Sequence, residues 1–219
     1  MARQQIITAL DLMNCRDNSW YFFENFAMTF DERDTTGVPV KKPFPAHNTR
    51  YKEIIDRFDM RIETREYRLI AIPKSRQHMA SWLVMLYFLN KAMTRPMSAL
   101  YIQSEHEKKA LKQILRVNKA YTYLHPDLQA ASPLSKPADK QPVSGLYFKN
   151  GSLIEALPQG GDAIRSVTAT ALLSDEAAFQ KDFAEVMKAA KANTGLHIVV
   201  STPNPGTFQK IVEDTYGDE

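Results

Sequence analysis

The chain has almost no cysteine. Cys15 is the one thiol in 219 residues, which excludes an internal disulfide and suits a reducing compartment. Its neighbours Asn14 and Arg16 give it no nucleophilic activation, so a packed thiol is expected. Long apolar runs are missing too. The most hydrophobic stretch, residues 79–93, contains Asn90 and Lys91 and is too short to span a bilayer. The start, Met1-Ala-Arg-Gln-Gln, leads into no apolar core of the kind a secretory signal carries. No internal repeat or low-complexity tract is visible. The charge balance is nearly even: net +3, with a pI near 8.8, is compatible with a nucleic-acid partner but does not argue for one. A soluble cytosolic protein without a membrane partner is expected.

What is present suffices for one sizeable core: 44% of the residues are hydrophobic and 24% charged. Residues 1 to about 30 read as helical, with Ile6, Ile7, Leu10 and Met13 at helical spacing and Asn18-Ser19 placed to cap a second helix. Residues 31–45 read as loop, from one Gly and three Pro. A helix over 49–59 follows, with Tyr51, Ile54, Ile55 and Phe58 on one face. Residues 67–72 form a short β-type run stopped by Pro73. After it come a polar turn over 74–81 and an apolar helix over 82–93. A second strand covers 98–103 and a polar helix about 105–123. Lys108, Lys109, Lys112, Arg116 and Lys119 make that helix basic, and two readings stand: a solvated face, or a contact to nucleic-acid phosphates. Residues 125–143 carry four prolines and read as loop. Residues 145–156 read as a hairpin turning at Asn150-Gly151. Strands at 171–173 and 196–200 flank a helix over 182–193 closed by Gly195, and a short helix over 208–215 ends the chain.

Strands alternating with helices predict an α/β fold with a mostly parallel sheet and right-handed crossovers. Three polar turns then share the carboxyl edge, where open α/β sheets bind ligands. The first, 73–81, has the strand–turn–helix context of a phosphate-binding loop and offers Lys74 and Ser81. The second brings Asp175 and Glu176 at the end of an apolar run, a pair able to divide metal holding from water activation. The third offers Ser201 and Thr202. Together these are the parts of a Mg-nucleotide hydrolysis site.

Three stretches carry a resemblance: Ile-Pro-Lys-Ser-Arg-Gln at 72–77, Leu-Leu-Ser-Asp-Glu-Ala-Ala-Phe at 172–179, and Val-Ser-Thr-Pro-Asn-Pro at 200–205. They resemble the ATPase domain of the large terminase subunit, the DNA-packaging motor of tailed bacteriophages, over about residues 65–208. The second stretch resembles a Walker B motif. The first departs from the usual Walker A pattern G-x-x-x-x-G-K-[ST]. With Ser81 at its last position, Met79 stands where the second glycine belongs and Ala80 where the lysine belongs, and Lys74 comes first. Some large terminases are similar in carrying the lysine at the start of the loop.

The resemblance implies a P-loop NTPase of the ASCE type over residues 65–219. A helical segment precedes it over 1–64, and no C-terminal nuclease domain follows, so no DNA cleavage is expected from this chain. It implies ATP and Mg²⁺ as cofactors. Nucleotide binding would fall to Lys74, Ser75, Arg76, Gln77, His78, Met79, Ala80 and Ser81, with Lys74 on the β- and γ-phosphates. Ser81 and Asp175 would hold the metal, and Glu176 would activate water. Either Arg76 would touch the γ-phosphate in cis, or Arg165 would act as an arginine finger toward a neighbouring subunit. Ser201 and Thr202 would couple hydrolysis to movement. Phe44, His47 and Tyr51 are candidates for the adenine pocket. The partners implied are double-stranded DNA, a portal or procapsid, a small terminase subunit and further copies of the chain in a ring, all in the host cytoplasm.

Overall fold

A computed structural model describes residues 7–30, 41–63, 66–75 and 79–216. The N-terminal part holds α1 (Ala9–Asp17), α2 (Ser19–Asn25), strands β1 (Met28–Phe30) and β2 (Lys41–Pro43), and α3 (Thr49–Ile62). Then come β3 (Arg68–Pro73), α4 (Ala80–Thr94), β4 (Ala99–Ser104), α5 (Glu107–Thr122), α6 (Pro126–Ala131), β5 (Gly145–Tyr147), β6 (Leu153–Ala156) and α7 (Gly161–Arg165). The chain continues through β7 (Ala169–Asp175), α8 (Phe183–Asn193), β8 (Thr194–Ser201) and α9 (Thr207–Tyr216).

The main sheet has the order β3-β8-β7-β4-β6-β5, parallel throughout except for β5, which runs antiparallel on β6. Side chains alternate across it, as the two-residue period of a strand requires. Ile70, Ile72, Leu100, Ile102, Ala171, Leu173, Ile198 and Val200 face a core built with the N-terminal helices, α4 and α5. Ala71, Tyr101, Leu172 and Val199 face a second core under α7, α8 and α9. Both faces are covered, so the strands read as near-continuous apolar runs. Residues Leu83 to Leu89 of α4 are all buried, which explains why that helix is apolar all round. At its polar end Asn90 Nδ2 donates to the Cys15 carbonyl at 2.9 Å and Lys91 Nζ pairs with Asp59 at 2.9 Å, while Asn90 Oδ1 is buried without a hydrogen-bond partner among the described residues. Asp59 also accepts from the Ser19 N–H and hydroxyl at 2.9 and 2.8 Å, which clasps α2, α3 and α4 together. Cys15 is packed as expected, 1% exposed, and burial pushes its thiol up to about 12.

Several local expectations change. Leu10 and Met13 are exposed, so α1 does not bury the face its spacing suggested. The segment 1–64 is not purely helical: β1 pairs with β2 across ten intervening residues, a non-local match that local pattern does not reveal. Residues 125–143 contain α6 and a 3-10 turn (Ala138–Lys140). Pro126 sits at the start of α6, where its missing N–H costs nothing, and the His125 side chain accepts from the Asp127 N–H. Residues 161–165, expected only as a lead-in to β7, form α7. A Cβ on Gly161 would lie 2.9 Å from the Glu185 carbonyl oxygen, so this glycine permits the close crossing of α7 on α8. Gly195 does not close α8. Thr194 is already extended, at φ −131° and ψ 137°, and Gly195 lies inside β8. The hairpin turn at Asn150-Gly151 is present, with Gly151 at φ 83°. Among the described residues no helix is long and apolar enough to cross a membrane.

Candidate active site

The chain leaves β3 through α4 on one face of the sheet and leaves β7 through α8 on the other. This divergence opens a crevice at the carboxyl ends of β3, β8 and β7. Pro73 lies opposite Ser201 and Asp175 opposite Val200, so the three polar turns share one edge. The Lys74 N–H donates to the Ser201 carbonyl at 2.9 Å and extends the ladder one residue past β3.

Lys74 Nζ then sits at the centre of a compact cluster. It donates to Ser81 Oγ at 3.0 Å and lies 3.0 Å from Glu176 Oε1 and 3.3 Å from Asp175 Oδ1. Ser81 Oγ donates to Asp175 Oδ1 at 2.7 Å. The Lys74 and Asp175 side chains are 10% and 7% exposed while Glu176 retains 26%, so the glutamate is the carboxylate with access to water. The ammonium therefore reaches the start of α4 from the near end of the loop, although Ala80 occupies the usual lysine position. Met79 has φ −75°, an ordinary value for a side-chain-bearing residue, and its side chain packs on the main core. No left-handed conformation requires glycine there. The start of α4 has no side-chain cap, so its first N–H groups and the helix dipole face the crevice and favour an anion.

Glu176 is held at φ 52° and ψ 42°, the left-handed region that costs a residue with a Cβ about 1–2 kcal/mol. Neighbouring bonds fix this turn. Gln180 Nε2 donates to the Asp175 carbonyl at 3.0 Å. The Ala178 N–H donates to Ser201 Oγ at 3.1 Å, and Asn204 Nδ2 donates to the Ala178 carbonyl at 3.4 Å. Ser201 thus bonds both the residue that carries the ammonium and the turn that follows the glutamate. Thr202 beside it is half-buried. Beneath the edge, the fully buried His197 lies 2.8 Å from Ser174 Oγ through Nε2 and 3.2 Å from the Tyr67 hydroxyl through Nδ1. Burial lowers His197 to about 3 and raises Tyr67 to about 12, so both are neutral near pH 7.

Two site residues escaped the sequence reading. Gln113 of α5, 3% exposed, donates Nε2 to Asp175 Oδ2, and Gln180 bonds the same residue's backbone. The available signal for Gln113 was a polar residue within the apolar stripe Ala110, Ile114, Val117 and Tyr121. Arg165 is not brought to the cluster. It pairs with Asp162 at 2.5 Å and Glu185 at 3.3 Å, with its side chain half exposed. Arg76, Gln77 and His78 lie outside the described residues. Phe44 is buried between Phe23 and Tyr51, at ring separations of 5.0 and 5.4 Å, and serves packing; His47 is exposed.

The donor set fits a magnesium ion. Asp175 and Ser81 offer oxygen atoms on one spot, and Mg²⁺ takes one or two carboxylates with phosphate oxygens and water completing an octahedron. Among the described residues no three His, Cys, Asp or Glu side chains converge, so a hard cation here would take the rest of its shell from a ligand or water.

No protein-family model and no curated protein matches the sequence. Solved structures do match. The large terminase of bacteriophage HK97 aligns with a TM-score of 0.61 and 16% identity, over 93% of this chain and 41% of its own. The Thermus phage P74-26 large terminase ATPase domain aligns at 0.47 and 16% identity, over 68% of this chain and 64% of its own. A large terminase from a thermophilic bacteriophage, in complex with ADP, aligns at 0.41 and 8% identity over 60% of this chain and 33% of its own. The chain spans about two-fifths of the HK97 protein's length. Over the aligned region its fold is similar to that of the HK97 large terminase: a mostly parallel α/β sheet flanked by helices.

Proposed function

We propose that this chain is an ATP-hydrolysing domain of a viral genome-packaging motor. The observation that carries the reading is the Lys74–Ser81–Asp175–Glu176 cluster at the uncapped start of α4. The triphosphate lies against the first turn of α4, and Lys74 turns from its carboxylate partners to the β- and γ-phosphates. Asp175 and Ser81 would hold Mg²⁺, which would supply positive charge to the phosphate oxygens. Glu176 orients a water and takes its proton as the water oxygen bonds the γ-phosphorus and the β–γ bridge breaks. The products are ADP and phosphate. Ser201, bonded to both the Lys74 backbone and the Ala178 N–H, passes the change at the γ-phosphate to the third turn with Thr202.

The likeness of fold to a large terminase supports double-stranded DNA as the transported substrate. On the same reading the partners are a portal or procapsid, a small terminase subunit and further copies in a ring, and the site of action is the host cytoplasm. Steady-state phosphate release tests the chemistry. The wild type is expected to turn over ATP with Mg²⁺, and Glu176→Gln, which keeps the shape and removes the base, to fall by about 10²-fold or more. Undiminished turnover in Glu176→Gln would remove the glutamate from the chemistry; an inert wild type would leave a nucleotide-binding module.

A further inference from the structure

Helix α5 has two chemically distinct faces, a partly exposed basic one and a buried one. On its outer side Lys108, Lys112, Arg116 and Lys119 follow one another at helical spacing, so they form a single ridge about 16 Å long. Glu107 is the one acid in the helix. The far end of the ridge is braced by aromatic rings. Arg116 lies 5.9 Å from the Trp82 ring centre and Lys119 4.8 Å from that of Phe30, and the two rings pack edge to face at 5.2 Å. Cation–π contacts of this kind hold charges in place. Because the rings are engaged with the cations and each other, the ridge presents charge for phosphates rather than ring faces for bases. That suits the backbone of a duplex better than an unstacked single strand. On the inner side of the same turn, one residue from Lys112, Gln113 holds Asp175 Oδ2. Its Oε1 is buried without a hydrogen-bond partner among the described residues, so the bond to Asp175 is the one its amide makes there.

We propose that α5 links the two: a nucleic-acid duplex lying along the outer ridge is felt at Asp175 through Gln113, a positioning residue. The inference rests on the reading of the Asp175 cluster as a nucleotide site. A shift of α5 under the duplex moves the amide that orients the metal-holding carboxylate. By linkage, a nucleotide at Asp175 must then change duplex affinity by the same factor that the duplex changes nucleotide affinity.

Fluorescence anisotropy of a short labelled duplex on the full chain tests this without requiring turnover. Four phosphate contacts predict a log–log salt slope of roughly −3 to −4. Replacing Lys108, Lys112 and Lys119 together by Gln should flatten it by about 3. A non-hydrolysable ATP analogue with Mg²⁺ should change wild-type duplex affinity by about fivefold or more. Gln113→Met should bind the duplex as the wild type does without nucleotide but lose that change. Gln113→Asn, one methylene too short to reach Asp175, should repeat the loss and carries the test if Gln113→Met does not fold. Full coupling in the folded Gln113 variant, no coupling in the wild type, or a salt slope untouched by the ridge substitutions would each overturn the proposal. Competition by polyglutamate equal to that by unlabelled duplex would assign the ridge to an acidic protein and overturn it too. Binding of the analogue alone, measured in parallel, reports separately on the nucleotide reading: no binding there overturns the site itself.

Discussion

At the scale of single residues, Glu176 shows most plainly that local comfort has been given up for position. Its backbone occupies a region that glycine enters freely and glutamate does not, while its carboxylate meets Lys74 at 3.0 Å. Glu176→Gly and Glu176→Ala both lose that ion pair, so comparing them isolates the backbone. The glycine variant is expected to be the more stable by about 0.5–1 kcal/mol in urea unfolding, after allowing for glycine's larger unfolded-state entropy. An alanine variant as stable as the glycine one would mean that the turn stores no strain. Lys74 makes the complementary case. Its position in the sequence made it a candidate phosphate ligand, and the structure places its ammonium beside the hydroxyl and both carboxylates the sequence had singled out. Gln113 was not legible in that way, because a glutamine on a helix carries no motif. It acquires meaning only once α5 is folded over the edge of β7.

Among the elements, β7 and β8 form the frame on which the cluster hangs, and His197 joins them under the edge by its contact to Ser174, one residue before Asp175. Burial keeps His197 neutral in the fold, down to about 3, whereas in the unfolded chain it takes a proton near its ordinary value of 6.5. Below that value the unfolded state binds more protons. The native state's advantage is therefore complete above pH 6.5 and is lost as pH falls toward 3. Between pH 6.5 and 5, wild type should lose about 1.6 kcal/mol more than His197→Gln in urea unfolding, the slope approaching roughly 1.4 kcal/mol per pH unit at the lower end; parallel pH profiles would contradict a neutral buried histidine. Elements with strong local signals were legible: α4 from its unbroken apolar run, the β5–β6 hairpin from Asn150-Gly151, and β7 from Ala171-Leu172-Leu173. Those missed depend on distant partners or on context. The β1–β2 ribbon pairs across an intervening segment, α7 is five residues long and needs Gly161 against α8, and α6 begins with a proline that elsewhere breaks helices.

For the molecule as a whole, the sheet order gathers lysine, hydroxyl and acid pair from segments about a hundred residues apart, and it leaves Arg165 outside the cluster with Asp162 and Glu185. Exposed pairs of that kind contribute about 0–1 kcal/mol, so the guanidinium can leave them for a neighbouring copy at little cost. If it acts in trans, mixing Arg165→Ala with Glu176→Gln chains under assembling conditions should restore ATP turnover that each lacks alone, since the first keeps a working site and the second a working arginine. No restoration would confine Arg165 to its surface pairs. The central claim, that the start of α4 with Lys74 and Asp175 holds a Mg-triphosphate, is tested most directly by calorimetric titration of ATP with and without Mg²⁺. The account predicts one site per chain, strengthened by Mg²⁺ and weakened about tenfold or more in a folded Lys74→Ala variant. No binding by the wild type, or binding unchanged by loss of Lys74, would contradict it.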